Sequence, residues 1–153
     1  MSDMIAEVTR AVEIAAPAER VWAAITGETA ILDWHPAVAS CTAGVDDAGR
    51  LTRHMVLHPA PDVPPGTPPI AMFETELLRS AAIFTISYVV EIEGLAIRDY
   101  HAQMSVTPEE AGCLTRLRSR FVMPVSATPD PRVQVAEFYE MGLARLARQL
   151  SAG

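Results

Sequence analysis

The last stretch of the chain, Asp130 to Leu150 (DPRVQVAEFYEMGLARLARQL), limits what the rest can fold into. The Asp130 carboxylate can accept from the open N–H groups of a first helical turn. Pro131 suits the first helical position, where its missing N–H costs nothing. Val135, Ala136, Tyr139, Gly142, Leu143, Leu146 and Leu150 recur at the three- and four-residue spacing of one helical face. Glu137, Glu140, Arg145 and Arg148 fall mostly off it. A helix of about twenty residues at 1.5 Å rise is a rod of roughly 30 Å, as long as a small domain is wide. Its apolar face needs a large partner, and most of the chain before it reads as strands.

Ile5 to Ile14 alternate as a strand with Ala6, Val8, Arg10, Val12 and Ile14 on one side. The period then changes. AAPAERVWAAITG predicts a short helix opened by Pro17 and closed by Gly27, and ETAILDW a second, stopped at Pro36 because the residue before proline is pushed out of the α region. Cys41–Val45 and Leu51–Leu57 flank the turn residues DDAG, a hairpin signal. HPAPDVPPGTPPI, residues 58–70, holds six prolines and a glycine in thirteen positions and predicts a stiff loop, a candidate lid. Met72–Leu78, Ala82–Glu93, Ile97–Thr107 and Cys113–Met123 are four further expected strands. The expectation is one domain over residues 1–153: an α+β fold with a curved antiparallel sheet of about six to seven strands around the terminal helix, and two short helices after the first strand. A sheet curled over a single helix leaves volume at one end, the candidate ligand cavity.

Composition removes several function classes. The net charge of −7, with no basic cluster beyond alternating Arg116, Arg118 and Arg120, argues against a nucleic-acid partner. All twelve basic residues are arginine, so Schiff-base chemistry through a lysine of this chain is excluded. No run approaches the ~20 apolar residues of a membrane span, and the polar opening MSDMIAEVTR does not resemble a signal peptide, so a cytoplasmic location is expected, with Cys41 and Cys113 as free thiols. His54 and His58 would lie roughly 13 Å apart along a strand, too far to share one zinc ion. Neither a metal nor a cofactor is expected. The oligomeric state, homodimer included, is left open.

VTRAVEIAAPAERVWAAITG, the WHPAV of Trp34 to Val38, Asp99-Tyr100 before a strand and the closing FYEMGLARLARQL resemble the START-like, helix-grip superfamily (SRPBCC), in its polyketide cyclase/dehydrase and lipid-transport branch. The likeness covers nearly the whole chain apart from the proline-rich loop. It implies a hydrophobic small-molecule ligand held between sheet and terminal helix, with cyclisation or dehydration in some members and plain carriage in others.

Strand parity nominates the residues of such a cavity. Phe84, Ile86 and Tyr88 are expected to face the helix, as are Arg98 and Tyr100, Arg53 and Met55, and Leu117 and Phe121. The terminal helix supplies Phe138, Tyr139, Met141 and Gly142, whose missing side chain is expected to leave room for ligand. Between Met72 and Leu78 either face could be buried; the preferred reading leaves Glu74 and Glu76 in solvent, and the alternative turns one of them inward against Arg53. On that alternative the inward glutamate, Glu74 or Glu76 with Glu74 preferred, is the base, Arg53 polarises a ligand carbonyl and Tyr88 or Tyr100 donates to the developing enolate. Trp34 reads as a plug of the core. His35 is either part of that corner or a titratable group at the cavity mouth. A cavity in which such polar groups converge favours chemistry over a non-catalytic carrier; a filled one favours an interaction module.

Overall fold

The computed structural model describes residues 2–151. The element order is β1 (Asp3–Ile14), α1 (Ala18–Ile25), α2 (Ile31–Trp34), β2 (Val38–Val45), β3 (Leu51–Leu57), β4 (Ala71–Ser80), β5 (Thr85–Glu93), β6 (Arg98–Glu109), β7 (Gly112–Pro124) and α3 (Pro131–Ser151). The strands form one antiparallel seven-stranded sheet in the order β1-β7-β6-β5-β4-β3-β2. Chain neighbours are sheet neighbours except that β1 closes against β7, with Asp3 opposite Pro124 and Ile14 opposite Cys113. The sheet curves around α3.

The terminal helix begins as its sequence dictates: the Arg132 backbone N–H donates to Asp130 Oδ1 at 2.9 Å. Val135, Ala136, Tyr139, Gly142, Leu143 and Leu146 are buried and Leu150 half-buried, so the expected face is the one that packs, against β1, β7 and α2. Burial of each large apolar side chain on it contributes about 1.5–3 kcal/mol. The opposite side is tied down by polar contacts. Arg10 of β1 donates to Glu140 at 2.8 Å, Gln149 to the Asp33 carbonyl at 2.8 Å, and Ser151 Oγ accepts from the Ala15 N–H at 3.1 Å. Arg10 is therefore solvent-exposed despite its place in the inward alternation of β1.

Two irregularities re-aim side chains. At the start of β6 the register shifts between Arg98 and His101, and Asp99 takes φ 52. The alternation holds from Tyr100 to Val106 but is broken one step earlier. Arg98 consequently points out of the sheet, 58% exposed and paired with Asp3 at 2.5 Å, which corrects its expected place at the cavity. Between Glu76 and Leu78 a bulge in β4 turns Arg79 back toward Glu76. The expected strand Ala82–Glu93 also starts late. Residues 81–84 form a turn that ends on Phe84 at φ 47, and the Phe84 ring packs on Trp22 of α1, with centroids 5.7 Å apart.

Candidate active site

The cavity lies between the concave face of the sheet, α2 and α3, and has two chambers that share Met72, Tyr100 and Phe138 as walls. The outer chamber, about 220 Å³, is lined by Leu57, Ala60, Ile70, Ile92, Leu95, Val135 and Met141, with Gln134 and Glu137 as its polar members. Ala60 and Ile70 bring the two ends of the proline-rich loop to it. The inner chamber is only about 50 Å³, room for a few water molecules or one small polar head. It is lined by Trp34, His35, Arg53, Glu74, Ile86, Tyr88, Leu117 and Tyr139, with Ile25, Ile31 and Met104.

Its chemistry rests on four charged side chains. Arg53 on β3 lies directly opposite Glu74 on β4 in the strand register, and its Nε donates to Glu74 Oε1 at 3.1 Å while Nη1 donates to Glu76 Oε2 at 3.0 Å. Arg79 grips Glu76 from the far side through Nε at 2.9 Å and Nη2 at 2.7 Å, and anchors itself on the Thr26 carbonyl at 2.9 Å. Glu74 and Glu76 are 6% and 8% exposed, so the preferred reading with both in solvent is corrected. The apolar Phe73 and Leu77 take the wet face instead, 44% and 47% exposed. Two carboxylates against two guanidiniums make a charge-neutral cluster, which allows this inverted pattern to be buried. Arg79 had no signal in the parity argument, because the bulge that aims it is invisible in the alternation.

The two carboxyls are driven apart. Burial dominates at Glu74 and raises its pKa despite Arg53. Burial acts on Glu76 too, but hydrogen bonds from Arg79 together with the Arg53 charge outweigh it and hold that carboxyl below its ordinary value. Arg53 is disfavoured by burial, yet the two glutamates keep it firmly protonated. Above the cluster, Tyr100 and Tyr139 share a hydroxyl–hydroxyl hydrogen bond of 2.6 Å, and burial pushes Tyr139 up to about 12 and Tyr100 and Tyr88 well above the usual tyrosine range. The Tyr88 hydroxyl has no hydrogen-bond partner among the described residues.

His35 is held rather than poised. It is 1% exposed, and its Nδ1 accepts the Ala37 backbone N–H at 3.1 Å, so Nε2 must carry the proton it donates to the Phe138 carbonyl at 2.7 Å. Its ring stacks on Phe138 at 4.0 Å. Burial lowers its pKa to about 4. With both nitrogens engaged, His35 pins α2 to α3, which corrects its nomination as the acid–base group. Gly142 makes that approach possible: a Cβ there would lie 2.5 Å from His35 Cδ2 and 2.8 Å from Trp34 Cζ3. The space it leaves is filled by those rings, not left for ligand. Met55 and Phe121 are likewise packed in the core and line neither chamber, and Phe84 lies outside both. Met141, 46% exposed, stands at the rim of the outer chamber.

A long helix gripped by a curved antiparallel sheet, with a two-part cavity between them, defines a helix-grip protein. The sequence profile described as polyketide cyclase / dehydrase and lipid transport matches residues 6–151, and the chain belongs to that family. Solved structures share the fold at low identity. The di-domain ARO/CYC StfQ from the steffimycin biosynthetic pathway superposes with a TM-score of 0.75 at 15% identity, over 97% of this chain and 51% of that one. An uncharacterised Bacillus thuringiensis protein gives 0.72 at 20% identity over 95% and 98% of the two chains. Norcoclaurine synthase of Thalictrum flavum, as a point mutant bound to a transition-state analogue, gives 0.66 at 14% identity over 98% and 96%. Comparison with curated protein sequences gives no match. Among the described residues no helix is long and apolar enough to cross a membrane.

Proposed function

We propose that this protein binds a hydrophobic, polyketide- or lipid-like carbonyl compound and catalyses its cyclisation or dehydration by general acid–base chemistry without a cofactor. The observation that carries the reading is the pairing of Arg53 with the buried Glu74 and Glu76, backed by the more exposed Arg79, with Arg53 and Glu74 lining the inner chamber beside a Tyr88 hydroxyl that has no partner among the described residues. The ligand's apolar body occupies the outer chamber and one carbonyl enters the inner one. Glu74, its basicity raised by burial, takes the proton from the carbon next to that carbonyl. The carbonyl π electrons move to oxygen, where the Tyr88 hydroxyl donates and the nearby Arg53 guanidinium steadies the negative charge. The enolate carbon attacks a second carbonyl of the same molecule. The alkoxide that results takes its proton from Glu74; Glu74 then removes the second proton of the same carbon, and the hydroxyl leaves with that proton as water to give the dehydrated ring. Arg53 holds Glu74 in place throughout, and Arg79 keeps Glu76 ionised so that only one of the two carboxyls is available to cycle. We place the protein in the cytoplasm, which its two unbridged thiols suit.

The test is α-proton exchange. The protein is incubated with 4-phenyl-2-butanone in D₂O and deuterium uptake beside the carbonyl is followed by NMR. Catalysed exchange is expected, falling by about 10²–10⁴-fold in Glu74→Gln while the ketone still binds. A wild-type protein that binds the ketone and exchanges it no faster than buffer is a carrier, and the catalytic reading is then wrong.

A further inference from the structure

The inner chamber has a surplus of hydrogen-bond donors, and the one guanidinium that lines it, Arg53, is paired with carboxylates. The Trp34 side chain is 6% exposed and lines the chamber, yet its indole Nε1–H has no hydrogen-bond partner among the described residues. An indole N–H can only donate, and a buried donor without an acceptor is costly enough that native structures rarely keep one unless something else supplies the acceptor. The Tyr88 hydroxyl, brought to the same chamber by β5, is also without a partner among the described residues. The Tyr100–Tyr139 pair uses one of its two protons internally, and the buried Ser119 hydroxyl lies beside both rings' oxygens. The remaining groups are committed. His35 uses both nitrogens, and Arg53 and Arg79 balance Glu74 and Glu76 charge for charge. A ligand carboxylate placed here would add a negative charge beside two glutamates, inside a neutral cluster and out of water.

We infer that Trp34 and Tyr88 are specificity-determining donors that select ligands with a neutral acceptor oxygen, a ketone, ester or amide, and reject carboxylates of the same shape. The inference rests on the cavity reading above but not on its chemistry: it holds for a carrier as well as for an enzyme. It also separates two ligand classes that an apolar cavity alone does not distinguish, fatty acids and neutral carbonyl compounds.

Three probes of nearly equal shape test it at pH 7.5, with dissociation constants from protein NMR: 4-phenyl-2-butanone, 3-phenylpropanoate and butylbenzene. The ketone is expected to bind at least about tenfold tighter than either of the others, about one hydrogen bond's worth of discrimination. Trp34→Phe keeps a ring and deletes the N–H, and is expected to weaken ketone binding several-fold while leaving butylbenzene unchanged. Tyr88→Phe, at a less buried position, provides the same measurement should the Trp34 variant fold poorly. A carboxylate that binds as tightly as the ketone overturns the inference. So does a ketone-to-butylbenzene ratio that neither variant alters, and in both cases the cavity reading survives. If none of the three probes binds, the cavity reading itself fails and takes this inference with it.

Discussion

Acid should loosen this fold through one residue. In the unfolded chain His35 titrates near its ordinary value of 6.5, whereas in the folded protein burial holds it at about 4. Between those two values the unfolded chain carries a proton on His35 that the folded chain does not, so stability rises with pH across the window. The contribution is complete above pH 6.5 and is lost as pH falls toward 4. At 1.36 kcal/mol per pH unit it amounts to about 2 kcal/mol by pH 5 and about 3 kcal/mol at pH 4. The geometry adds to burial: protonating Nδ1 breaks the bond it accepts from the Ala37 N–H, and no acceptor is bonded to Nδ1 among the described residues. The assay is urea unfolding of the wild type and His35→Gln at half-unit steps from pH 7.5 to 4.5. Carboxylates titrate in both proteins, so the quantity that matters is the difference between them, which should shrink by about 2 kcal/mol between pH 7 and pH 5. A difference that stays constant over that interval would refute the claim that His35 is neutral and doubly hydrogen-bonded.

Three further outcomes are expected. Gly142→Ala gains helix propensity but drives a methyl into the His35 and Trp34 rings, and a net loss of about 2 kcal/mol should lower the melting temperature by roughly 4–8 °C. Arg53→Met leaves Glu74 buried without its partner and should cost about 3–5 kcal/mol at pH 7 in chemical denaturation. The variant's Glu74 holds its proton more tightly when folded than when unfolded, so this loss relative to wild type should shrink as the pH is lowered to 5. Arg98→Ala removes only exposed pairs with Asp3 and Asp99 and should change stability by no more than about 0.5 kcal/mol and ligand affinity not at all.

How far the site could be read from the chain differs from residue to residue. Ile86, Tyr88, Tyr100 and Leu117 reach the inner chamber because two-residue alternation holds wherever a strand is regular. Arg98 and Arg79 were misplaced or missed for one reason: a register shift sits beside each, and a shift of one residue exchanges the two faces of a strand. Glu74 and Glu76 defeated the pattern differently. A hydrophobic count on β4 favours Phe73 and Leu77 for the interior, and only the Arg53 side chain across the strand pair, with Arg79 beyond it, makes the opposite choice affordable.

The terminal helix and its buried face, the order of strands and short helices, and the grip of sheet on helix were legible in the chain alone. Each of these is set by local chemistry: a cap, a period, a proline, a turn. Contacts between distant elements decide that His35 is a structural pin, that the space beside Gly142 is filled by its neighbours, and that Arg53 and Glu74 meet at the inner chamber with Glu76 and Arg79 behind them. Those outcomes depend on side chains from elements far apart in the chain arriving within hydrogen-bonding distance, which no local period encodes.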